Sequence, residues 1–86
     1  MGGGSNTTWP VAHTVKLRVE AFEKAARLAG YQSGYSLARA MGVNRSTVMR
    51  MLKGSIQPGP VFIGSALAAL APMEFGDLFE VVEFPR

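Results

Sequence analysis

The sequence predicts a single compact domain that is mainly α-helical, with four to five helices and short β-strands near its two ends. Apolar residues recur every three or four positions through most of the chain, which is the spacing of one helical face. Glycines and prolines divide these segments at short intervals. The chain has 86 residues, 48% hydrophobic and 17% charged, which is enough for one folded domain and too few for two.

Composition excludes several classes of protein. The chain contains no cysteine, so it has no disulfide, thiolate metal site or thiol nucleophile and needs no oxidising compartment. No apolar run approaches the roughly 18 residues that cross a bilayer, and the N-terminus lacks a signal-peptide pattern. We therefore expect a soluble cytoplasmic protein, with no membrane partner and no cofactor.

The first residues, MGGGSNTT, are rich in Gly, Ser, Asn and Thr, a composition typical of a flexible leader. We assign residues 1–13 to such a leader, partly a tag or cloning remnant, and residues 14–86 to the domain. The segment Thr14–Arg18 alternates in character and is predicted to be extended.

Three helices are predicted next. The first spans about Arg18–Ala29 and ends at Gly30, and Ser33 is a favourable N-cap for a second helix over Gly34–Met41. Gly42-Val43-Asn44 is predicted as a tight turn, with Gly42 free to take positive φ and Asn44 capping the third helix. That helix buries an apolar stripe and leaves its other positions outside. The stripe comprises Val48, Met51 and Leu52.

The rest of the chain predicts one longer helix, a short helix and a strand. Pro60 suits the first position of a helix that Pro72 stops. A helical turn follows over about 75–79, and the tail segment Glu80–Phe84 alternates as a strand does. Since two short strands without a third partner need each other, we expect the terminal strands to pair, within one chain or across a dimer.

Two helices that cross tightly over a short turn need a small contact residue on the first helix, an unusual backbone at the turn and a compact apolar residue on the second. Ala38, Gly42 and Val48 supply these three features in order. The remaining apolar positions of the unit are predicted to stabilise it; they are Leu37, Met41, Val43 and Met51.

The segment 34–53, GYSLARAMGVNRSTVMRMLK, resembles the helix-turn-helix of the lambda-repressor-like, or Cro/Xre-type, family of phage and bacterial transcriptional regulators. The resemblance extends over about 18–79 and implies a lambda-repressor-like fold with a helix-turn-helix at about 34–53. It implies sequence-specific binding of double-stranded DNA by a small regulator, a phage repressor or Cro-like protein. The extended N-terminal segment and the FEVVEF tail depart from the family pattern, so the resemblance does not define how the chain dimerises.

Charge supports a polyanionic partner. Up to Lys53 the chain has eight Lys and Arg against two acids, a net charge of +6, and beyond it one Arg against four acids, a net charge of −3. The outer face of the third helix carries bases and no acid.

Geometry and the resemblance together assign roles to this face. The recognition helix enters the major groove, where Arg pairs bidentately with guanine and a methionine can contact a thymine methyl. The expected base-reading residues are Arg45, Ser46, Thr47, Met49 and Arg50. Residues beside the helix ends are expected to contact phosphates; they are Gln32, Ser33, Tyr35, Asn44 and Lys53.

One half-site buries too little surface for tight binding, so we expect a homodimer on a pseudo-palindromic operator, with half-sites about 10 bp apart. The apolar tail is the expected interface, and its candidate residues are Phe79, Val81, Val82 and Phe84.

Three other interpretations are open. The two helices could form a plain αα-hairpin in a small bundle. The chain could be an antitoxin or protein-interaction module in which Trp9 and the apolar tail bind a protein. An enzyme is disfavoured, because His13 is the sole histidine and no group suited to metal binding or proton transfer accompanies it.

Overall fold

A computed structural model describes residues 11–84, and within them the chain forms five helices and one two-stranded sheet. The elements in chain order are β1 (His13–Leu17), α1 (Val19–Leu28), α2 (Gly34–Met41), α3 (Arg45–Leu52), α4 (Pro60–Ala69), α5 (Phe75–Leu78) and β2 (Phe79–Glu83). The mainly helical class with short terminal strands is confirmed. The greater part of the predicted leader, residues 1–10 with Trp9, lies outside the described residues, and β1 begins at His13, one residue before the predicted boundary.

The two terminal strands pair with each other inside one chain. β1 and β2 are antiparallel, with His13 opposite Glu83 and Leu17 opposite Phe79. The Phe84 amide donates to the Ala12 carbonyl at 2.8 Å, which extends the pairing by one residue. Of the two arrangements that the sequence left open, the structure shows the intrachain one.

Arg18 ties the end of β1 to the C-terminal elements. Its backbone N–H donates to the Leu78 carbonyl at 2.8 Å. Its Nε donates to the carbonyls of Gly76 and Phe79 at 3.1 and 3.2 Å, and a terminal nitrogen lies 3.8 Å from a Glu80 carboxylate oxygen. Arg18 thus joins the end of β1 to α5 and to the start of β2.

An apolar core joins the helices to the sheet. Every buried side chain among the described residues is hydrophobic. The rings of Phe22 and Phe62 lie 5.8 Å apart, and Phe62 meets Phe79 edge to face at 6.4 Å. These contacts link α1, α4 and β2, and an edge-to-face pair contributes about 0.5–1.5 kcal/mol beyond the area it buries.

Packing among the elements sets the position of α3, whose outer side is exposed. α2 packs on both α3 and α4, and α1 packs on α5. Tyr31, between α1 and α2, donates its hydroxyl to the Ala69 carbonyl at 3.2 Å and so closes the end of α4. None of the helices within residues 11–84 combines the length and the apolar character needed to cross a bilayer.

Candidate nucleic-acid interface

The centre of the candidate site is the unit of α2, the three-residue turn and α3. Gly42 ends α2 with φ of +71°, a left-handed conformation that costs glycine little, and the Val43 amide donates back to the Ala38 carbonyl at 3.1 Å. Ala38 is 2% exposed and Val48 is 0% exposed. The positive φ of Gly42 and the burial of Ala38 and Val48 agree with the prediction, and the other predicted apolar residues pack in or against the same core: Leu37, Met41, Val43 and Met51.

The start of α2 is held by a reciprocal cap. The Ser33 hydroxyl accepts the Ser36 amide at 3.1 Å, and the Ser36 hydroxyl accepts the Ser33 amide at 3.3 Å. The predicted capping role of Ser33 is confirmed. The amides of Gly34 and Tyr35 have no hydrogen-bond partner among the described residues, so this helix start offers two free donors.

The start of α3 differs from the prediction. Asn44 occupies the N-cap position with extended backbone, but its side chain makes no capping hydrogen bond. Its carbonyl accepts the amides of Thr47 and Val48 at 3.0 and 3.3 Å, which is enough to begin the helix. The exposed Asn44 amide group is therefore left to other partners.

The outer face of α3 is formed by one stripe of side chains. Ser46, Met49, Arg50 and Lys53 follow the spacing i, i+3, i+4, i+7 and are all exposed, opposite the buried Val48 and Met51. Arg45 is also exposed, on one flank of this stripe. Thr47 is half-buried on the other flank and lines a groove between the turn and the start of α4. Four of the five predicted base-reading side chains are thus exposed, and Thr47 is half-buried.

A contact between Met49 and Gly34 brings the start of α2 onto this outer face. A Cβ placed at Gly34 would lie 3.6 Å from the Met49 sulfur, while Met49 remains 42% exposed. The free amides at the start of α2 therefore lie next to the exposed stripe of α3. We call the combined surface of Gln32–Tyr35, Asn44–Arg45 and the α3 stripe the basic face.

Tyr35 and Arg39 form a pair on the exposed side of α2. The Arg39 guanidinium lies 5.8 Å from the centre of the Tyr35 ring, within the range of a cation–π contact. Tyr35 is 54% exposed, so the pair adds a further cation near the basic face.

A charge pattern that sequence reasoning missed runs through these elements. No Asp or Glu occurs from residue 24 to residue 73, a stretch that carries six bases, namely Lys24, Arg27, Arg39, Arg45, Arg50 and Lys53. The acids of the chain lie on α1, on β2 and at α5, and none lies on α2, α3 or α4. A scan for the longest acid-free stretch would have found this pattern.

Two grooves beside the basic face also escaped prediction. One is lined by Asn44, Thr47, Gln57, Pro60 and Val61, where α4 begins. The other separates α1 from the start of α2, and both Glu23 and Arg27 line it. Neither α4 nor α1 was expected at the site, because nothing in the local sequence shows which helices meet there.

The tail needs a correction. Phe79 is 0% exposed and stacks on Phe75 at 5.3 Å between ring centres, so it belongs to the core and offers no surface to a partner. Val82 is half-buried over a groove that Ile56 and Pro58 also line. Of the four predicted interface residues, the exposed ones are Val81 and Phe84, at 62% and 44%.

Outside the basic face, the His, Asp and Glu residues of the described chain form no metal-binding cluster. His13 lies opposite Glu83 across the strand pair, a proximity that the linear sequence hides. Within residues 11–84, no three His, Asp or Glu side chains lie close enough together to hold a metal ion. Comparison of the chain with models of protein families, with curated proteins and with solved structures finds no match.

Proposed function

We propose that this chain binds double-stranded DNA in a sequence-specific manner, with α3 as the recognition helix in the major groove. We further propose that it acts as a small transcriptional regulator of the lambda-repressor-like (Cro/Xre) kind, a phage repressor or Cro-like protein of the bacterial cytoplasm, and that it is not an enzyme.

One observation carries this proposal: the exposed stripe of α3 is basic or neutral throughout and adjoins the free amides of α2. A helix kept in a bundle for packing alone usually mixes acids and bases on its solvent side. Here Arg45, Arg50 and Lys53 meet no carboxylate within 4 Å among the described residues. Unpaired cations beside helix-start amides suit the phosphates that flank a groove.

The roles of individual residues follow from position. Arg45 and Ser46, in the first turn of α3, meet base edges first, and Arg50 meets them one turn later. A bidentate arginine–guanine pair discriminates by about 1–3 kcal/mol, so the proposal implies at least one guanine in each half-site. Met49 offers its sulfur and methyl to a thymine methyl, and Thr47 reaches only bases at the edge of the contact.

Phosphate contacts surround this centre. The Gly34 and Tyr35 amides, with the exposed Gln32 and Ser33, face one strand of the duplex. Asn44, whose side chain is not used as a cap, and Lys53 bracket α3.

A homodimer on a pseudo-palindromic operator is part of the proposal. Two copies bury the surface that one half-site cannot, and a symmetric pair matches half-sites one helical turn apart. The exposed apolar side chains of the tail are Val81 and Phe84, and because side chains alternate along a strand they lie on opposite faces, so each is a separate candidate for this contact. Sedimentation in the presence of DNA is expected to show two chains per duplex, and one chain per duplex contradicts the dimer.

The deciding experiment selects bound sequences from a random duplex pool and then measures affinity for the selected and a scrambled duplex between 50 and 200 mM salt. Selection is expected to yield a guanine-containing palindrome. Affinity is expected to fall by about 10³-fold or more over this range if six or more phosphates are contacted. No enrichment together with a flat salt response contradicts DNA binding.

A second candidate is an antitoxin or protein-interaction module, which the exposed Val81 and Phe84 favour. Its partner would be a protein that adds to the terminal strands, and the helix-turn-helix would then serve the fold alone. The same salt series separates the two functions, because a protein contact through apolar side chains does not weaken steeply with salt.

A further inference from the structure

The groove between α1 and α2 lies beside the basic face and carries a cation that no role above uses. Arg27, in the last turn of α1, lines this groove together with Gln32, Ser33 and Gly34. Gly34 in turn lies beside Met49 of the α3 stripe, since a Cβ placed at Gly34 would be 3.6 Å from the Met49 sulfur. The groove is therefore continuous with the basic face through the start of α2.

Arg27 forms no ion pair among the described residues, although a possible partner lies one helical turn before it. Glu23 precedes it by four residues on the same helix, the spacing at which Glu and Arg commonly pair. The one ion pair that the structure shows within residues 11–84 joins Arg18 to Glu80. Both Glu23 and Arg27 are exposed and line the groove, and neither makes a side-chain hydrogen bond in the described part of the chain.

We infer that Arg27 is a further anchor for the DNA backbone and that Glu23 opposes it, so that this groove tunes the affinity of the proposed DNA-binding face. The inference rests on the proposed function. Its occupant is the phosphate of the strand that passes the start of α2, where the Gly34 and Tyr35 amides are free. A guanidinium adds a bidentate donor for that phosphate, and a carboxylate in the same groove repels it.

Helix α1 also contains matched control residues. Lys24 and Glu20 are exposed residues of α1 with the same charges as Arg27 and Glu23, and neither lines the groove. Within each pair the two substitutions change the net charge by the same amount, but only Arg27 and Glu23 line the groove. An effect of net charge alone is therefore equal within a pair, and an effect of direct contact is not.

The test measures binding of a random-sequence duplex by fluorescence anisotropy between 50 and 200 mM salt. For Arg27→Ala we expect a loss of roughly fivefold in affinity at 100 mM and a salt slope smaller by about 1, with Arg27→Lys keeping most of the slope. Lys24→Ala is expected to leave the slope unchanged. Glu23→Gln is expected to tighten binding more than Glu20→Gln does.

A purely structural role for Arg27 gives a different result. A base in the last turn of a helix stabilises that helix through its dipole, and Arg27→Ala would then lower the unfolding midpoint without changing the salt slope beyond Lys24→Ala. That outcome overturns the inference while leaving the proposed function intact, provided that Arg45→Ala still loses sequence preference. Wild-type protein that does not bind the duplex overturns both.

Discussion

The two helices on either side of the Gly42 turn have the same length but begin and pack differently. α2 starts with a reciprocal side-chain cap and buries three side chains, whereas α3 starts without a side-chain cap and buries two. A side chain that caps its own helix has fewer hydrogen bonds left for a ligand. α2 therefore serves mainly as the support, and α3 is the helix that presents its side chains to solvent.

The largest effect is expected from breaking the support. Leu37→Ala removes a side chain of α2 that is 4% exposed, and we expect it to cost about 2–5 kcal/mol in the free energy of unfolding. The matched control is Leu28→Ala on α1, where the same side chain is 79% exposed and the cost is expected within about 0.5 kcal/mol. Urea unfolding followed by circular dichroism measures both, and equal losses would contradict the buried position of Leu37.

The next largest effect is expected on DNA affinity when an exposed side chain of α3 is removed. Arg45→Ala is expected to cost about 1–3 kcal/mol in binding to the selected duplex and less on a scrambled one, because it removes a contact to a base. Lys53→Ala, the control on the same helix, is expected to weaken both duplexes alike. Anisotropy titrations with the two duplexes measure the difference, and equal losses for Arg45→Ala on both would remove its reading role.

The smallest effect separates the two helix starts directly. Ser33→Ala is expected to lower the free energy of unfolding by about 1 kcal/mol, since it deletes the acceptor of the Ser36 amide. Asn44→Ala deletes no capping bond, so we expect a smaller loss of stability together with weaker DNA binding. Thermal unfolding and duplex titration of both variants are needed, and a larger stability loss for Asn44→Ala would contradict the contrast between the helices.

Helix ends and the turn were predictable because their causes are local. Ser33 acts on the three residues that follow it and Gly42 on the four that precede it, and the bounds Gly34–Met41 of α2 agree with the prediction. The apolar stripe of α3 was equally readable, since Val48 and Met51 repeat with the helical period. The positions of α3 outside this apolar stripe were therefore predicted to be exposed.

Contacts between segments far apart in the sequence were harder to predict. Alternation in the tail predicted a strand, but not that Phe79 packs into the aromatic core while Val81 stays exposed. Likewise, Asn44 takes the predicted N-cap position, but its residue type did not show that its side chain would make no capping hydrogen bond. The family resemblance was found from a few positions and stays a prediction.

Periodicity, caps and charge order in the linear chain were sufficient for the helices, the turn and the acid-free side of α3, because each depends on residues within about four positions of one another. Folding in three dimensions decided which terminal strand residues are covered, that Met49 lies against Gly34, and that Arg27 and Glu23 border the start of α2. Those contacts arise from the packing of whole elements, and short-range patterns carry no information about which faces meet.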